Sequence, residues 1–128
     1  LILGGNTMLE NIKIYFSEDS DEYELYMAQK ESRGDVLVEY EEKLYKIEFL
    51  TALSLAQEHD WDKGIGRVSL IWLPTIIVDD CRKETIIKNI RMLEPDIFKY
   101  FKPVKLDGNL FSPRCQDINN WKIVYPES

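Results

Sequence analysis

The chain of 128 residues carries 23 acidic and 16 basic side chains and one histidine, for a net charge of −7 and a sequence pI near 4.8. That length suits one domain with one core, and 45% apolar residues with 12% aromatics are too many for a disordered tail. The negative charge disfavours duplex nucleic acid or an anionic membrane as main partner, because both need a basic surface, so a macromolecular partner is expected to be basic itself.

Leu1-Ile-Leu-Gly-Gly-Asn-Thr7 has no basic n-region and is too short for a signal peptide, so Met8 is read as the natural start. Residues 11–16 alternate Ile12, Ile14 and Phe16 with Asn11, Lys13 and Tyr15, the period of a half-buried strand. After the acidic stretch at Ser17, residues 22–29 alternate again and are expected to be its hairpin partner. Glu31-Ser-Arg-Gly34 reads as a turn. Val36, Val38 and Tyr40 then alternate with Leu37, Glu39 and Glu41. Across the polar link Glu41-Glu-Lys43, Tyr45, Ile47 and Phe49 do the same, which makes a second hairpin and favours a four-strand meander. Thr51 can cap a helix over residues 52–59 with Leu53, Ala56 and Leu55 facing inward, ending near Asp60-Trp61.

Residues 68–73 and 76–78 are rich in β-branched and aromatic side chains, and Pro74 between them would break a helix; strands with a bend or edge at Pro74 follow. Asp79 or Asp80 can cap an amphipathic helix over residues 81–93, with Ile86, Ile87, Ile90 and Leu93 as its apolar stripe. Pro95 opens a short helix over residues 96–101, residues 102–109 form a loop, and residues 121–125 read as a last strand. The fold class is α+β: a mostly antiparallel sheet of five or six strands with an amphipathic helix packed on one face, in a single domain.

Little in the chain points to catalysis, and we expect no enzyme, no cofactor and no metal. His59 is the only histidine, which excludes HExxH zinc sites and leaves a catalytic triad only this residue to use. Cys81 and Cys115 make neither a disulfide framework nor a CxxC pair, which points to a reducing, cytoplasmic setting. The longest apolar run, residues 70–78, is far short of the roughly 20 residues needed to span a bilayer. Asp60-Trp-Asp-Lys-Gly-Ile-Gly66 lacks the order of a calcium loop, and Gly64-Ile-Gly66 is not followed by the Lys-Ser/Thr of a phosphate loop. Basic residues between Arg82 and Lys105 lie among Phe98, Tyr100 and Phe101, but the spacing of Ile97, Phe98 and Phe101 fits a core stripe better than an RNA platform.

The charge itself is unevenly distributed. Residues 1–80 hold 17 acids against 7 bases, or −10, whereas residues 81–128 hold 6 acids against 9 bases, or +3. Such a split bears on association and steering, not on fold. The acids come in runs expected in loops and hairpin ends, and Trp61 sits between two of them as the type of residue enriched at binding hot spots. The expected partner-binding residues are therefore Glu18, Asp19, Asp21, Glu22, Glu41, Glu42, Asp60, Trp61 and Asp62.

Residues 36–93 resemble small bacterial immunity proteins of polymorphic toxin and contact-dependent inhibition systems. The shared outline is a hairpin ending in Tyr45-Lys-Ile-Glu-Phe49, a helix opened by Thr51-Ala-Leu53, a strand ending in Ile76-Ile-Val-Asp79 and an amphipathic helix through Glu84-Thr-Ile-Ile-Lys-Asn-Ile90. The resemblance implies no catalysis but the binding of one cognate toxin, often a basic nuclease, and the blocking of its active site or its activation; the chain itself is expected to be a monomer or homodimer. The alternative expectation is a non-enzymatic adaptor or subunit of a bacterial or phage assembly that pairs through the edge of residues 68–73.

Overall fold

A computed structural model describes residues 8–17, 31–65, 74–108 and 111–127. The fold is α+β. Seven strands among the described residues divide between two sheets: β1 (Ile12–Ser17), β3 (Val36–Tyr40), β4 (Lys43–Lys46) and β7 (Trp121–Tyr125) in the order β4-β3-β1-β7, and β2 (Ser32–Arg33), β5 (Glu48–Thr51) and β6 (Thr75–Val78) in the order β2-β5-β6. The first sheet is antiparallel throughout. The second contains a parallel pair, β5 with β6, joined through helix α1 (Ala52–Gly64). Helix α2 (Lys83–Arg91) follows β6, and a 3₁₀ turn at Pro95–Tyr100 follows α2.

One bent ribbon connects the sheets. In the second sheet Arg33 lies opposite Phe49, and in the first Leu37 lies opposite Lys46. Three residues, Gly34 to Val36, therefore span the same stretch as Ile47 and Glu48, and the extra residue bends the hairpin as a bulge does. Lys46 holds the bend by donating to the Gly34 carbonyl and to the Glu48 carboxylate, each at 2.9 Å. A side chain at Gly34 would run into that carboxylate. Pairing differs from the expected meander: β1 pairs with β3 and with the C-terminal β7, while residues 22–29 and 68–73 lie outside the described residues.

The main core lies where β1, β3 and the ribbon face α2. Ile14, Phe16, Val36, Val38, Ile47, Phe49, Ile86 and Ile90 are fully enclosed there, and Ile87 and Leu93 pack at its edge as the helical stripe requires. Leu37, Tyr15, Phe111 and Trp121 form a smaller cluster on the opposite face of the first sheet. That sheet is thus covered on both sides. Asp80 sits ahead of α2, accepting from the Arg82 amide at 3.0 Å and the Thr85 hydroxyl at 2.6 Å, and these bonds lower its pKa.

Helix α1 begins as expected, with the Thr51 hydroxyl accepting from the Ser54 amide at 3.2 Å, but it runs on to Gly64 and its phase is different. Thr51 arrives from β5 with its side chain inward and in contact with Glu31, so Ser54, one turn later, takes the inner face. Leu53, Leu55 and Ala56 are consequently exposed, not inward. Among the described residues no helix is long and apolar enough to cross a membrane.

The bend also encloses a charge. Arg33, in the segment expected to be a turn, is buried on β2 with its side chain fully shielded. It donates through Nε to Asp35 at 2.8 Å and through Nη1 to the Cys81 carbonyl at 3.0 Å, and its guanidinium lies 4.4 Å from the centre of the Phe16 ring. Replacing Arg33 by Ala would strand Asp35 and open a void between the sheets. A loss of about 3 kcal/mol is expected in urea unfolding, with Arg33→Lys recovering only part because it lacks the planar fork.

Candidate functional site

The β3–β4 turn is a two-residue loop, with Tyr40 opposite Lys43, and both turn residues have positive φ, 50° at Glu41 and 65° at Glu42. This is the backbone of a type I′ turn, which usually takes Asn-Gly; two glutamates there carry left-handed strain. The register that makes the turn also places Tyr40 and Tyr45 on one face of the hairpin. Against that face lies the turn Pro95–Tyr100. Phe98 from it is buried, stacked on Tyr40 with ring centres 4.4 Å apart and tilted against Tyr45 at 5.2 Å. Phe101 meets Phe98 edge-on at 5.6 Å.

Between the hairpin end and this turn is a cavity of about 430 Å³, a size that suits a small molecule or a few inserted side chains. Its floor is aromatic and its rim is charged, with Glu41 and Lys43 from the hairpin and Asp96 and Lys99 from the turn. Burial pushes the Tyr40 hydroxyl up from its ordinary pKa, and the carboxylates of Glu41 and Asp96 push it the same way; burial and then Glu41 do likewise at Tyr45. The Lys99 ammonium lies 5.5 Å from the Tyr100 ring centre, and Tyr100 is 78% exposed.

The other predicted residues lie elsewhere. Asp60, Trp61 and Asp62 belong to α1, where Asp60 is exposed, Asp62 is half-buried and Trp61 is 66% exposed. Trp61 stands two turns beyond the buried Ser54, on the same helical face. That face emerges from the core there, and the exposed Ile65 continues it, its amide donating to the Trp61 carbonyl at 3.2 Å. The whole run from Lys43 to Thr51 separates this helix from Glu41 and Glu42 along the ribbon. Glu18, Asp19, Asp21 and Glu22 lie outside the described residues.

Sequence reasoning missed Tyr40, Tyr45 and Asp96 as members of a site, and took Phe98 and Phe101 as core only. The available signal was two tyrosines on one face of a short hairpin, with a Pro-initiated aromatic turn later in the chain. Among the described residues no group of three or more His, Cys, Asp or Glu side chains is arranged to hold a metal ion. Comparison with protein-family models, with curated proteins and with solved structures finds no match.

Two expectations follow from these geometries. Replacing Glu41-Glu42 by Asn-Gly should relieve the turn and raise stability by about 1 kcal/mol, seen as a higher denaturation midpoint with an unchanged slope. On the opposite side of the first sheet, burial together with a 3.0 Å hydrogen bond to Glu39 pushes Tyr15 up to about 12. A raised pKa favours the neutral phenol in the folded state, so its contribution is complete below pH 10 and is lost as pH climbs through 12. Urea unfolding at several pH values between 9 and 12 should show a shallower alkaline decline for Tyr15→Phe than for the wild type.

Proposed function

We propose that the chain is a non-enzymatic recognition domain that binds a basic protein and neutralises it in the cytoplasm, as an immunity protein does its cognate toxin, with a nuclease as the expected toxin class. The observation that carries the reading is Trp61: a large aromatic, 66% exposed, on a helical face that has left the core, with carboxylates on either side in sequence. A tryptophan left in water within an acidic surround is suited to serve as the apolar anchor of an interface whose charged rim steers a basic partner. The resemblance of residues 36–93 to immunity proteins supports the same assignment, as does the −7 net charge. Cys81 and Cys115 are both free thiols, which agrees with a reducing compartment.

The reading is tested with the protein encoded beside this chain's gene. A toxin-like C-terminal domain should be found there, and co-expression should relieve its toxicity. Trp61→Ala should weaken the complex about 30-fold or more, the effect of losing a hot-spot residue. Asp60→Lys should lower the association rate, and that rate should fall with added salt. An adjacent frame with no toxin-like domain, or a complex indifferent to Trp61, would refute the proposal.

A further inference from the structure

The cavity at the hairpin end is distinct from the Trp61 surface, and its chemistry is selective. Tyr40 and Phe101 keep part of their rings exposed, while Phe98 and Tyr45 are buried beneath them, so the walls are rigid and aromatic. Glu41 and Asp96 arrive from opposite sides, one from each of the two elements that form the cavity. The positive φ values at Glu41 and Glu42 show that the chain holds this tight turn in a conformation glutamate disfavours. Of the two lysines at the rim, Lys99 has its ammonium 5.5 Å from the ring centre of Tyr100, a residue that does not line the cavity, which leaves Glu41 and Asp96 facing Lys43.

An anionic ligand would meet two carboxylates in this site, and a purely apolar one would desolvate them with nothing to balance their charge. A planar cation satisfies both surfaces together: its face lies on an aromatic ring and its edges donate to carboxylate and phenolic oxygens. A guanidinium fits this description better than an ammonium, which is compact and more strongly hydrated.

We propose that the cavity between the β3–β4 hairpin and the Pro95–Tyr100 turn receives the guanidinium of an arginine side chain presented by a basic partner protein. The source of that arginine rests on the reading under Proposed function; the cation specificity of the cavity does not. It adds a second, separate anchor point to an interface otherwise centred on Trp61.

The test is an NMR titration of the whole chain with three capped tripeptides, Gly-Arg-Gly, Gly-Lys-Gly and Gly-citrulline-Gly, and with ethylguanidinium. The arginine peptide should produce saturable shifts in the ring signals of Tyr40, Phe98 and Phe101. Binding should be at least fivefold weaker with the lysine peptide and lost with citrulline, which has nearly the same shape without the charge. Asp96→Asn and Glu41→Gln should each weaken the arginine peptide at least fivefold while leaving the thermal midpoint within a few degrees of the wild type. Equal binding of the citrulline peptide, shifts that survive both substitutions, or shifts confined to other parts of the chain would overturn the proposal. Tighter binding of free ethylguanidinium than of the peptide would overturn the assignment to a protein side chain. These probes are too small to bridge to Trp61, so their failure would leave the Trp61 reading standing, and a partner indifferent to Trp61→Ala would leave the titration unchanged.

Discussion

A guanidinium with no exposure to water is the constraint around which this molecule is arranged. Arg33 would be prohibitively costly in the interior if its charge and donors were unmatched. The chain matches them with groups from three places in sequence: Asp35 at the bend, the Cys81 carbonyl ahead of α2, and the ring of Phe16 on β1. Asp35 in turn receives the Ser17 hydroxyl at 3.4 Å, and its carbonyl accepts the Ser17 amide at 3.2 Å. The first sheet, the second sheet and the start of α2 are thereby tied to one side chain. The bulge at Gly34 to Val36 is what turns the ribbon so that such a meeting point exists.

The elements that were legible in the sequence are those whose period is their own. Alternation located β1, β3 and β4, and the stripe of Ile86 and Ile90 located α2, because burial on one face imposes spacing on the residues of a single element. Arg33 was not legible. Glu31-Ser-Arg-Gly34 has the composition of a turn, and only pairing with Phe49 and Leu50 makes it a strand. The division of Tyr45-Lys-Ile-Glu-Phe49 between two sheets was hidden for the same reason: the pattern is continuous while the partner strand carries the extra residue. On α1, Leu53 and Leu55 are the obvious candidates for burial, yet the phase follows from how β5 delivers Thr51, and this is a property of the junction rather than of the helix.

The functional surfaces show the same limits. Reading charge along the chain separates an acidic first part from a basic second part, but the fold brings them into contact: β7 pairs along β1, and the cavity takes Tyr40 and Glu41 from one part and Asp96 and Lys99 from the other. Trp61 was identifiable as an aromatic between acids, since that pattern lies in three consecutive residues, while its exposure follows from the phase set at the β5 junction. The tyrosine-lined cavity was not, since it exists only where two elements about fifty residues apart in sequence come together.

The position of β1 between β3 and β7 sets an order of events during synthesis. Residues 12–17 are made long before one of their two neighbours, residues 121–125. Until those residues leave the ribosome, β1 has an unpaired edge and its sheet has no closing strand. The ribbon from β2 to β5 involves only near neighbours and can form much sooner, since short loops close at little entropic cost. A nascent chain of this protein therefore carries a finished hairpin, with its acidic turn already displayed, well before the body that supports it is complete.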